Sequence, residues 1–255
     1  MCKEKLQSLW DGLTQNFRDD EGRLEVPALI YRQLVGADII NVTNPAWRYD
    51  WRHWEPERLK FIDLGNELKS VTRLALEWVR DMDPNAPSSI WFCGSTGVGK
   101  DHLAHICAVA LALRNNWTVR KIDWVVAMQE IKGSFSNGRQ VDSALTKEKE
   151  TDVLIWSDID RPNTSLFVAE KVGELLRRRE HKCTIYTSNA SLKDYCTRIL
   201  RNSKIREEQP LPGEENPTHL ALQSTADTIQ SRLRGTIFFE LPFISLKGDW
   251  RQANG

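Results

Sequence analysis

GSTGVGK occupies residues 94–100 of the chain and has the spacing G-x-x-x-x-G-K. It follows the apolar run Ser89–Cys93 and precedes the helical pattern His102–Arg114, so a strand, a loop and a helix are expected in that order. Glycines suit a loop that wraps a polyphosphate with backbone N–H groups, because a Cβ would obstruct the approach. A lysine in the last position reaches the β and γ phosphates. The spacing and its context therefore predict an ATP-binding loop.

The segment expected to contact the nucleotide extends two residues beyond the loop. Its candidate residues are Gly94, Ser95, Thr96, Gly97, Val98, Gly99, Lys100, Asp101 and His102. Position 101 departs from the usual pattern, because a Ser or Thr hydroxyl normally ligates Mg²⁺ there and this chain has Asp101.

A second departure lies where the apolar run Val153–Trp156 ends. In a Walker B strand, the apolar residues are followed by an Asp on the metal side and then by a catalytic acid. Counted from the apolar run, Ser157 takes the metal-side position and Asp158 the catalytic one. The candidate Mg²⁺ ligands are therefore Asp101, Ser157 and Asp158.

Three interpretations of these departures remain open. Asp101 and Ser157 could be a compensated exchange that keeps one carboxylate and one hydroxyl at the ion. The site could instead have decayed, so that it binds nucleotide weakly and does not hydrolyse it. In a third register, Asp158 lies on the metal and Asp160 is the catalytic acid.

Apolar strand patterns and helical patterns alternate along the chain on both sides of the loop. This alternation predicts an α/β fold with a doubly wound, parallel, five-stranded sheet that carries helices on both faces. The expected strands are Ser89–Cys93, Thr118–Val126, Asp152–Trp156, Cys183–Thr187 and Gly235–Leu241, and the expected helices between them are His102–Arg114, Met128–Phe135 and Leu166–Arg179.

The chain divides by pattern into three parts. Residues 1–36 are expected to form short helices, broken by Gly12 and Gly22, that pack on the main domain or dock on a partner. Residues 37–87 are a lead-in segment whose helical pattern ends before Asp83-Pro84. Residues 88–255 hold the ATPase core. Residues 207–217 (EEQPLPGEENP) are expected to form a loop.

Composition limits the function classes. Lys+Arg and Asp+Glu are 35 each in 255 residues, so the chain is not a bulk polycation, and any DNA contact must come from a local patch or an assembled channel. The five cysteines form no CxxC pair, which favours reduced structural thiols over a metal site. Without an 18-residue apolar run or an apolar N-terminal region, the expected location is cytoplasmic, with no membrane partner.

Taken together, these motifs resemble the DnaC/IstB-like ATPases, which include bacterial and phage helicase loaders and transposition helpers. The most specific parts are GSTGVGKDHLA (94–104), DVLIWSDID (152–160), TIYTSN (184–189) and SRLRGTIFFEL (231–241). The resemblance implies an AAA+ fold without a C-terminal lid domain. It also implies an ATP-dependent homo-oligomer, a spiral or ring, that grips DNA. In that arrangement Arg232 is the arginine finger and Asn189 is sensor 1, beside the catalytic acid Asp158.

Candidate DNA contacts lie near the end of the helix that follows the second strand. Lys132, Phe135 and Arg139 combine cations with an aromatic ring, as single-strand binders do, and the resemblance places DNA at this helix. From the residues alone, Phe135 is more often part of the core.

Two other clusters have alternatives that stay open. A run of arginines, 177–179, with His181 and Lys182, is more often a solvated helix end, and the alternative is a contact with DNA or with another subunit. The cluster Trp47, Trp51 and Trp54 is expected to cover the adenine side of the core, and the alternative is that its rings stack on bases.

Two functions follow. The first is an ATP-binding protein that oligomerises on single- or double-stranded DNA and assists a replicative helicase or a transposase. The second is a nucleotide-sensing adaptor with little or no hydrolysis.

Overall fold

The structure, a computed structural model, describes residues 2–17, 32, 66–136, 146–161, 166–204, 217–233 and 236–240. The helices are α1 (Cys2–Thr14), α2 (Asn66–Asp81), α3 (Lys100–Asn115), α4 (Trp124–Ser136), α5 (Thr146–Glu150), α6 (Leu166–Arg178), α7 (Leu192–Lys204) and α8 (Pro217–Arg232), and a 3-10 turn at Gln15–Phe17 follows α1. The strands are β1 (Ile90–Cys93), β2 (Val119–Asp123), β3 (Val153–Ser157), β4 (Cys183–Ser188) and β5 (Ile237–Glu240).

These strands form one sheet in the order β2-β3-β4-β1-β5, and every neighbouring pair is parallel. The predicted parallel α/β architecture is confirmed. β1 lies inside the sheet, where Ile90 pairs with Ile185 of β4 on one side and with Ile237 of β5 on the other. The loop that follows β1 therefore leaves the sheet from an interior strand.

Helices cover both faces of the sheet, as predicted. Alternate strand residues point to opposite faces, so Ile90 and Phe92 pack with α1, α2 and α3, whereas Trp91 packs with α4, α6, α7 and α8. On that second face, Trp91, Tyr186 and Trp156 lie on three adjacent strands with ring centroids less than 6 Å apart, at 5.3 Å and 5.8 Å. The sheet is thus buried between two helical layers.

The helix α3, which connects β1 to β2, lies on one face of the sheet. The helices α4 and α6, which lie between β2 and β3 and between β3 and β4, lie on the other face. The chain therefore changes winding direction beside β1 and β4, which are hydrogen-bonded neighbours. In open α/β sheets such a switch point opens a crevice at the carboxyl ends of the strands, where ligands bind. The predicted nucleotide loop lies at this position.

The N-terminal helix packs on the rest of the molecule. Trp10 is fully buried in the core formed with α2 and α3, and the Thr14 hydroxyl donates to the Trp10 carbonyl at 2.8 Å. The prediction that Gly12 breaks this segment was wrong, because α1 runs through it. A glycine inside a helix costs only about 1 kcal/mol, which packing of the apolar face offsets.

The second predicted strand, Thr118–Val126, was too long at its C-terminal end. β2 ends at Asp123 and α4 begins at the next residue. The Asp123 carboxylate accepts hydrogen bonds from the N–H groups of Val125 (2.9 Å) and Val126 (3.2 Å). This is the geometry of a helix N-cap, and it ends the strand despite the apolar residues that follow.

The arginine run at the end of α6 divides into two environments. Arg177 and Arg178 are exposed, as expected of a solvated helix end, but Arg179 is 4% exposed. Its guanidinium donates to the Thr184 hydroxyl and to the carbonyls of Glu148, Thr151, Asp152 and Cys183. Arg179 therefore ties α5, β3 and β4 together, and the interpretation of the whole run as solvated was wrong for this residue.

Some predictions fall outside the described residues: the break at Gly22, the Trp47, Trp51 and Trp54 cluster, and the loop at 207–217 except for its last residue, Pro217, which begins α8. Among the helices that the structure describes, none is both long enough and apolar enough to cross a membrane.

Candidate nucleotide site

The predicted loop connects the end of β1 to the start of α3. Gly97 and Gly99 adopt φ angles of 86° and 92°, a region that favours glycine, and Gly99 is the residue before the first turn of α3. The Gly94 N–H donates to the carbonyl of Ser188, the last residue of β4, at 3.2 Å. The loop is thereby fixed at the carboxyl ends of two neighbouring strands, at the N-terminus of a 16-residue helix, where backbone N–H groups favour an anion.

Lys100 is the first residue of α3 and its side chain folds back over the loop. Its ammonium donates to the carbonyls of Gly94 and Ser95, both at 2.8 Å, and to Asn189 Oδ1 at 3.0 Å. Burial lowers the pKa of Lys100, and the negative charges of Asp101 and Asp158 oppose that shift. The structure thus brings together the predicted phosphate-binding lysine and the predicted sensor Asn189.

Asp101 lies one residue further along α3 and faces β4. The hydroxyl of Thr187, which is fully buried, donates to Asp101 Oδ1 at 2.6 Å. The same hydroxyl accepts a hydrogen bond from the N–H of Asp158 at 3.2 Å. One threonine side chain therefore connects the two predicted acidic positions.

Asp158 follows β3 in the left-handed region, at φ 52°. Residues other than glycine adopt this region at an energetic cost, although Asp tolerates it better than most. Its carboxylate pairs with Arg161 Nε at 3.1 Å. Burial raises the pKa of Asp158, as does the negative charge of Asp101, while Arg161 and Lys100 lower it. A turn under strain and a perturbed carboxyl together are typical of a functional position.

Asp160 belongs to a different set of contacts. Its side chain is 3% exposed, and its two oxygens accept from the Asn189 N–H at 3.0 Å and from Arg198 Nη1 at 3.3 Å. Asp160 thus connects the end of β4 to α7, and each of its carboxylate oxygens accepts one hydrogen bond.

Ser157 ends β3 and is 3% exposed, yet its hydroxyl has no hydrogen-bond partner among the described residues. A buried hydroxyl without a partner costs free energy, so it marks a place where a ligand atom is expected. The oxygens of Ser157, Asp101 and Asp158 are the donor type that Mg²⁺ prefers. Within the described residues, no three His, Cys, Asp or Glu side chains cluster into a metal site.

The remaining predicted contacts differ in their setting. Val98 and His102 are buried, at 5% and 6% exposure, and Thr96 is exposed on the loop. Arg232, the last residue of α8, forms an ion pair with Glu180 in the loop after α6. The structure does not bring Arg232 into contact with the loop residues that it describes.

The predicted DNA contacts cannot be placed as side chains. Lys132 and Phe135 belong to α4, but their side chains lie outside the described residues, as does the whole of Arg139.

Two side chains at the site were not assigned from the sequence. Thr187 enters the sequence predictions only as the last residue of the expected strand Cys183–Thr187, and Arg161 enters none of them. Thr187 lies three residues after Thr184 on the same strand, and nothing in the sequence says which hydroxyl meets an acid. An Arg three residues after Asp158 was a visible signal, because residues at that spacing are neighbours in a helical turn.

The fold is similar to that of several solved structures. The crystal structure of the DnaC helicase loader has 18% identity and a TM-score of 0.51, with 70% of this chain and 92% of that chain covered. A primosome component from Streptococcus pyogenes serotype M3 has 18% identity and a TM-score of 0.52, with 83% and 97% covered. Domain III of the Thermotoga maritima replication initiation protein DnaA has 15% identity and a TM-score of 0.51, with 72% and 68% covered.

At these identities the likeness establishes the fold alone, an α/β sheet with helices similar to that of AAA+ P-loop ATPases. Comparison of the sequence with curated proteins gives no match. The sequence profile of the family described as IstB-like ATP binding protein matches residues 59–205, more than half of the chain. With the loop, the Walker B strand and the β4 end in their expected places, the resemblance is confirmed: the chain belongs to the IstB-like ATP-binding protein family.

Proposed function

We propose that this protein binds ATP at the loop 94–100, oligomerises on DNA, and assists either the loading of a replicative helicase or the targeting of a transposase. The observation that carries the proposal is the buried ammonium of Lys100, held between the loop carbonyls and Asn189 Oδ1. A lysine so placed neutralises phosphate charge in a site that excludes water. Asn189, on the same ammonium, is proposed as the sensor of the γ-phosphate.

Mg²⁺ would be held by Asp101, Ser157 and Asp158, and when bound it would neutralise charge on the phosphates. The hydroxyl of Ser157, which is buried and has no hydrogen-bond partner in the part of the chain that the structure describes, supports a role in binding rather than in packing. Asp160 is occupied by Asn189 and Arg198, which favours Asp158 over Asp160 as the catalytic acid. The exchange of Asp101 and Ser157 is therefore the interpretation that we carry forward.

Arg232 is proposed to act in trans on the nucleotide of a neighbouring subunit. Its side chain is 33% exposed and lies at the end of α8, where a neighbour can reach it. Its ion pair with Glu180 must then open on assembly. A fold without a C-terminal lid is part of the same proposal, because the arginine would have to come from the core itself.

DNA is proposed to contact α4 near Lys132, Phe135 and Arg139. α4 leaves β2 at the carboxyl end of the sheet, as α3 does. Nucleotide and DNA would then bind at the same end of the molecule. The helper function draws support from the fold that the chain shares with the DnaC helicase loader and with domain III of a replication initiation protein.

A nucleotide-sensing adaptor is the alternative, and a specific observation favours it. The proposed catalytic acid Asp158 is paired with Arg161 Nε at 3.1 Å. A carboxylate held by a guanidinium is a weaker base towards water, because the positive charge favours its ionised form. The adaptor would bind ATP and change partners without turnover.

Phosphate release measured with and without single-stranded DNA separates the two functions. A helper that assembles on DNA should show Mg²⁺-dependent release that DNA stimulates and that Arg232→Ala abolishes, while the variant still binds ATP as a monomer. An adaptor should bind ATP, lose that binding on Lys100→Ala, and release no phosphate under either condition. Absence of ATP binding by the unchanged protein would contradict both functions.

A further inference from the structure

The side chain that links the two acidic positions is Thr187, near the end of β4. Its hydroxyl donates a hydrogen bond to Asp101 Oδ1 at 2.6 Å, and its oxygen accepts a hydrogen bond from the N–H of Asp158 at 3.2 Å. Thr187 is fully buried between the first turn of α3 and the turn after β3. Three separate segments therefore meet on one hydroxyl.

The contact matters because Asp101 replaces a shorter hydroxyl residue. An aspartate in the first turn of a helix has several rotamers, and the bond from Thr187 selects one of them. The bond is made to Oδ1 and not to Oδ2, so it occupies one carboxylate oxygen and not the other. A short O–H···O⁻ bond is among the stronger kinds of hydrogen bond, so the selected orientation is well held.

Thr187 also explains how two carboxylates share one region. Asp101 and Asp158 carry like charge in one region: burial, and after it the charge of Asp101, raises the pKa of Asp158. Thr187 donates to the side chain of one and accepts from the backbone of the other, so it holds both segments without adding charge. A β-branched residue suits this task, since its χ1 is restricted in a strand.

We propose that Thr187 is a positioning residue for the metal ligand Asp101: its hydroxyl fixes one carboxylate oxygen and leaves the other for the cation of a bound nucleotide. The inference rests on the proposed nucleotide function. It assigns to Thr187 a role in metal affinity that is separate from nucleotide contact. Groups that orient a ligand in this way typically contribute 10- to 100-fold to metal affinity.

A matched control lies on the same strand. Thr184 is also fully buried, and its hydroxyl accepts a bond from Arg179 Nε at 2.9 Å, at the opposite end of β4. Thr184→Val and Thr187→Val remove the same atom from the same strand. A merely structural role predicts similar consequences for both, whereas a positioning role predicts a metal effect for Thr187→Val alone.

The test is a Mg²⁺ titration of nucleotide binding, with a fluorescent ATP analogue and the full chain, repeated in EDTA. Thr187→Val should raise the Mg²⁺ midpoint about 10- to 100-fold with metal-free binding unchanged. Thr187→Ser should restore the midpoint, and Thr184→Val should leave it alone. In an Asp101→Ala background, Thr187→Val should have no further effect on the midpoint, because the residue it positions is gone.

Each other outcome has a definite meaning. An unchanged midpoint in Thr187→Val, or an equal effect in the Asp101→Ala background, overturns the positioning role while the nucleotide function stands. Equal losses for Thr187→Val and Thr184→Val, or failure of Thr187→Ser to restore the midpoint, overturn it as well. If the unchanged protein binds the analogue neither with Mg²⁺ nor in EDTA, the proposed function itself fails. A coupling between Asp101 and Thr187 in urea unfolding of the nucleotide-free protein checks the hydrogen bond independently, and additive losses contradict it.

Discussion

The two ends of β4 are built from similar residues and behave differently. At the amino end, Thr184 and Cys183 meet the buried guanidinium of Arg179, whose donors all end on protein oxygens. At the carboxyl end, Thr187 lies between Asp101 and Asp158, two groups of like charge. Ser157, on the next strand, leaves its buried hydroxyl without a partner among the described residues.

The contrast separates stability from function on a single strand. A buried cation whose donors are all satisfied, together with well-packed neighbours, stabilises the native state and needs nothing further. A strained turn at Asp158, a raised carboxyl pKa and a hydroxyl that has no partner among the described residues have costs that persist in the native state. Such features concentrate at ligand sites, and open α/β sheets bind ligands at their carboxyl edge. Stability effects are therefore expected at one end of β4 and ligand effects at the other.

The largest expected effect is at the amino end. Arg179→Met would leave several buried carbonyls without a donor, and each buried polar group left unsatisfied costs about 1–3 kcal/mol. Urea unfolding should show that loss, and nucleotide binding at a temperature where the variant is folded should be unchanged. Arg177→Met, an exposed residue of the same run, is the control and should stay within about 0.5 kcal/mol. Equal stability for the two variants would contradict the stabilising role.

At the carboxyl end, Lys100→Ala should affect ATP affinity more than stability. Removal of the ammonium should lower ATP affinity by at least about tenfold, since a charge-assisted contact to phosphate is lost. The loss of unfolding free energy should be smaller than for Arg179→Met. Calorimetric titration with ATP gives the affinity, with Lys193→Ala on the exposed side of α7 as the control. Unchanged ATP binding in Lys100→Ala would remove the central claim about the loop.

A smaller but more particular effect concerns the exchanged metal ligands. Within the pair of positions 101 and 157, Asp101→Thr leaves two hydroxyls and no carboxylate, and Ser157→Asp places two carboxylates beside that of Asp158, so each change alone should weaken Mg²⁺-dependent turnover. The double variant restores the usual arrangement and should recover activity, which makes the two effects non-additive. A decayed site predicts additive effects with Ser157→Asp neutral or helpful. The shifted register predicts that both changes are mild, whereas Asp158→Asn and Asp160→Asn are each severe.

Much of this molecule could be predicted from sequence, because its signals are local. The loop at 94–100 and the apolar runs that became β1, β3 and β4 depend on short-range patterns, and they appear where expected. The end of β2 was not predicted, because the apolar residues after Asp123 favour a strand, whereas the Asp123 carboxylate caps the helix that begins there.

Contacts between distant segments could not be predicted in this way. Arg179 looked like a solvated helix end, since its partners are carbonyls, which any sequence supplies. The bond between Thr187 and Asp101 joins residues 86 positions apart, and only the register of β4 beside β1 brings them together. Patterns of 2 and 3.6 residues report which face a side chain takes, not which distant group it meets.

The smallest expected effect is a pH dependence at the stable end. Glu174 of α6 accepts from Lys171 and from Lys149, a residue of α5, at 2.8 and 2.9 Å. These bonds, Lys171 first, hold the pKa of Glu174 at about 2, below its ordinary 4.5. Because the folded pKa is the lower one, the stabilisation is fully present above pH 4.5 and is lost as the pH falls towards 2.

Glu174→Gln should therefore lower the unfolding free energy by about 1–2 kcal/mol at pH 7, after allowance for solvent screening. Paired urea titrations at pH 7 and pH 3 should show the gap between the unchanged protein and the variant shrinking at the lower pH. Glu170→Gln, on the exposed side of α6, is the control and should show no such trend. A gap that stays constant or widens on acidification would mean that the carboxylate of Glu174 does not stabilise the contact of α5 with α6. Nucleotide affinity should be indifferent to the change, because the ion pairs tie helices at the end of β4 that Arg179 occupies, away from the loop at 94–100.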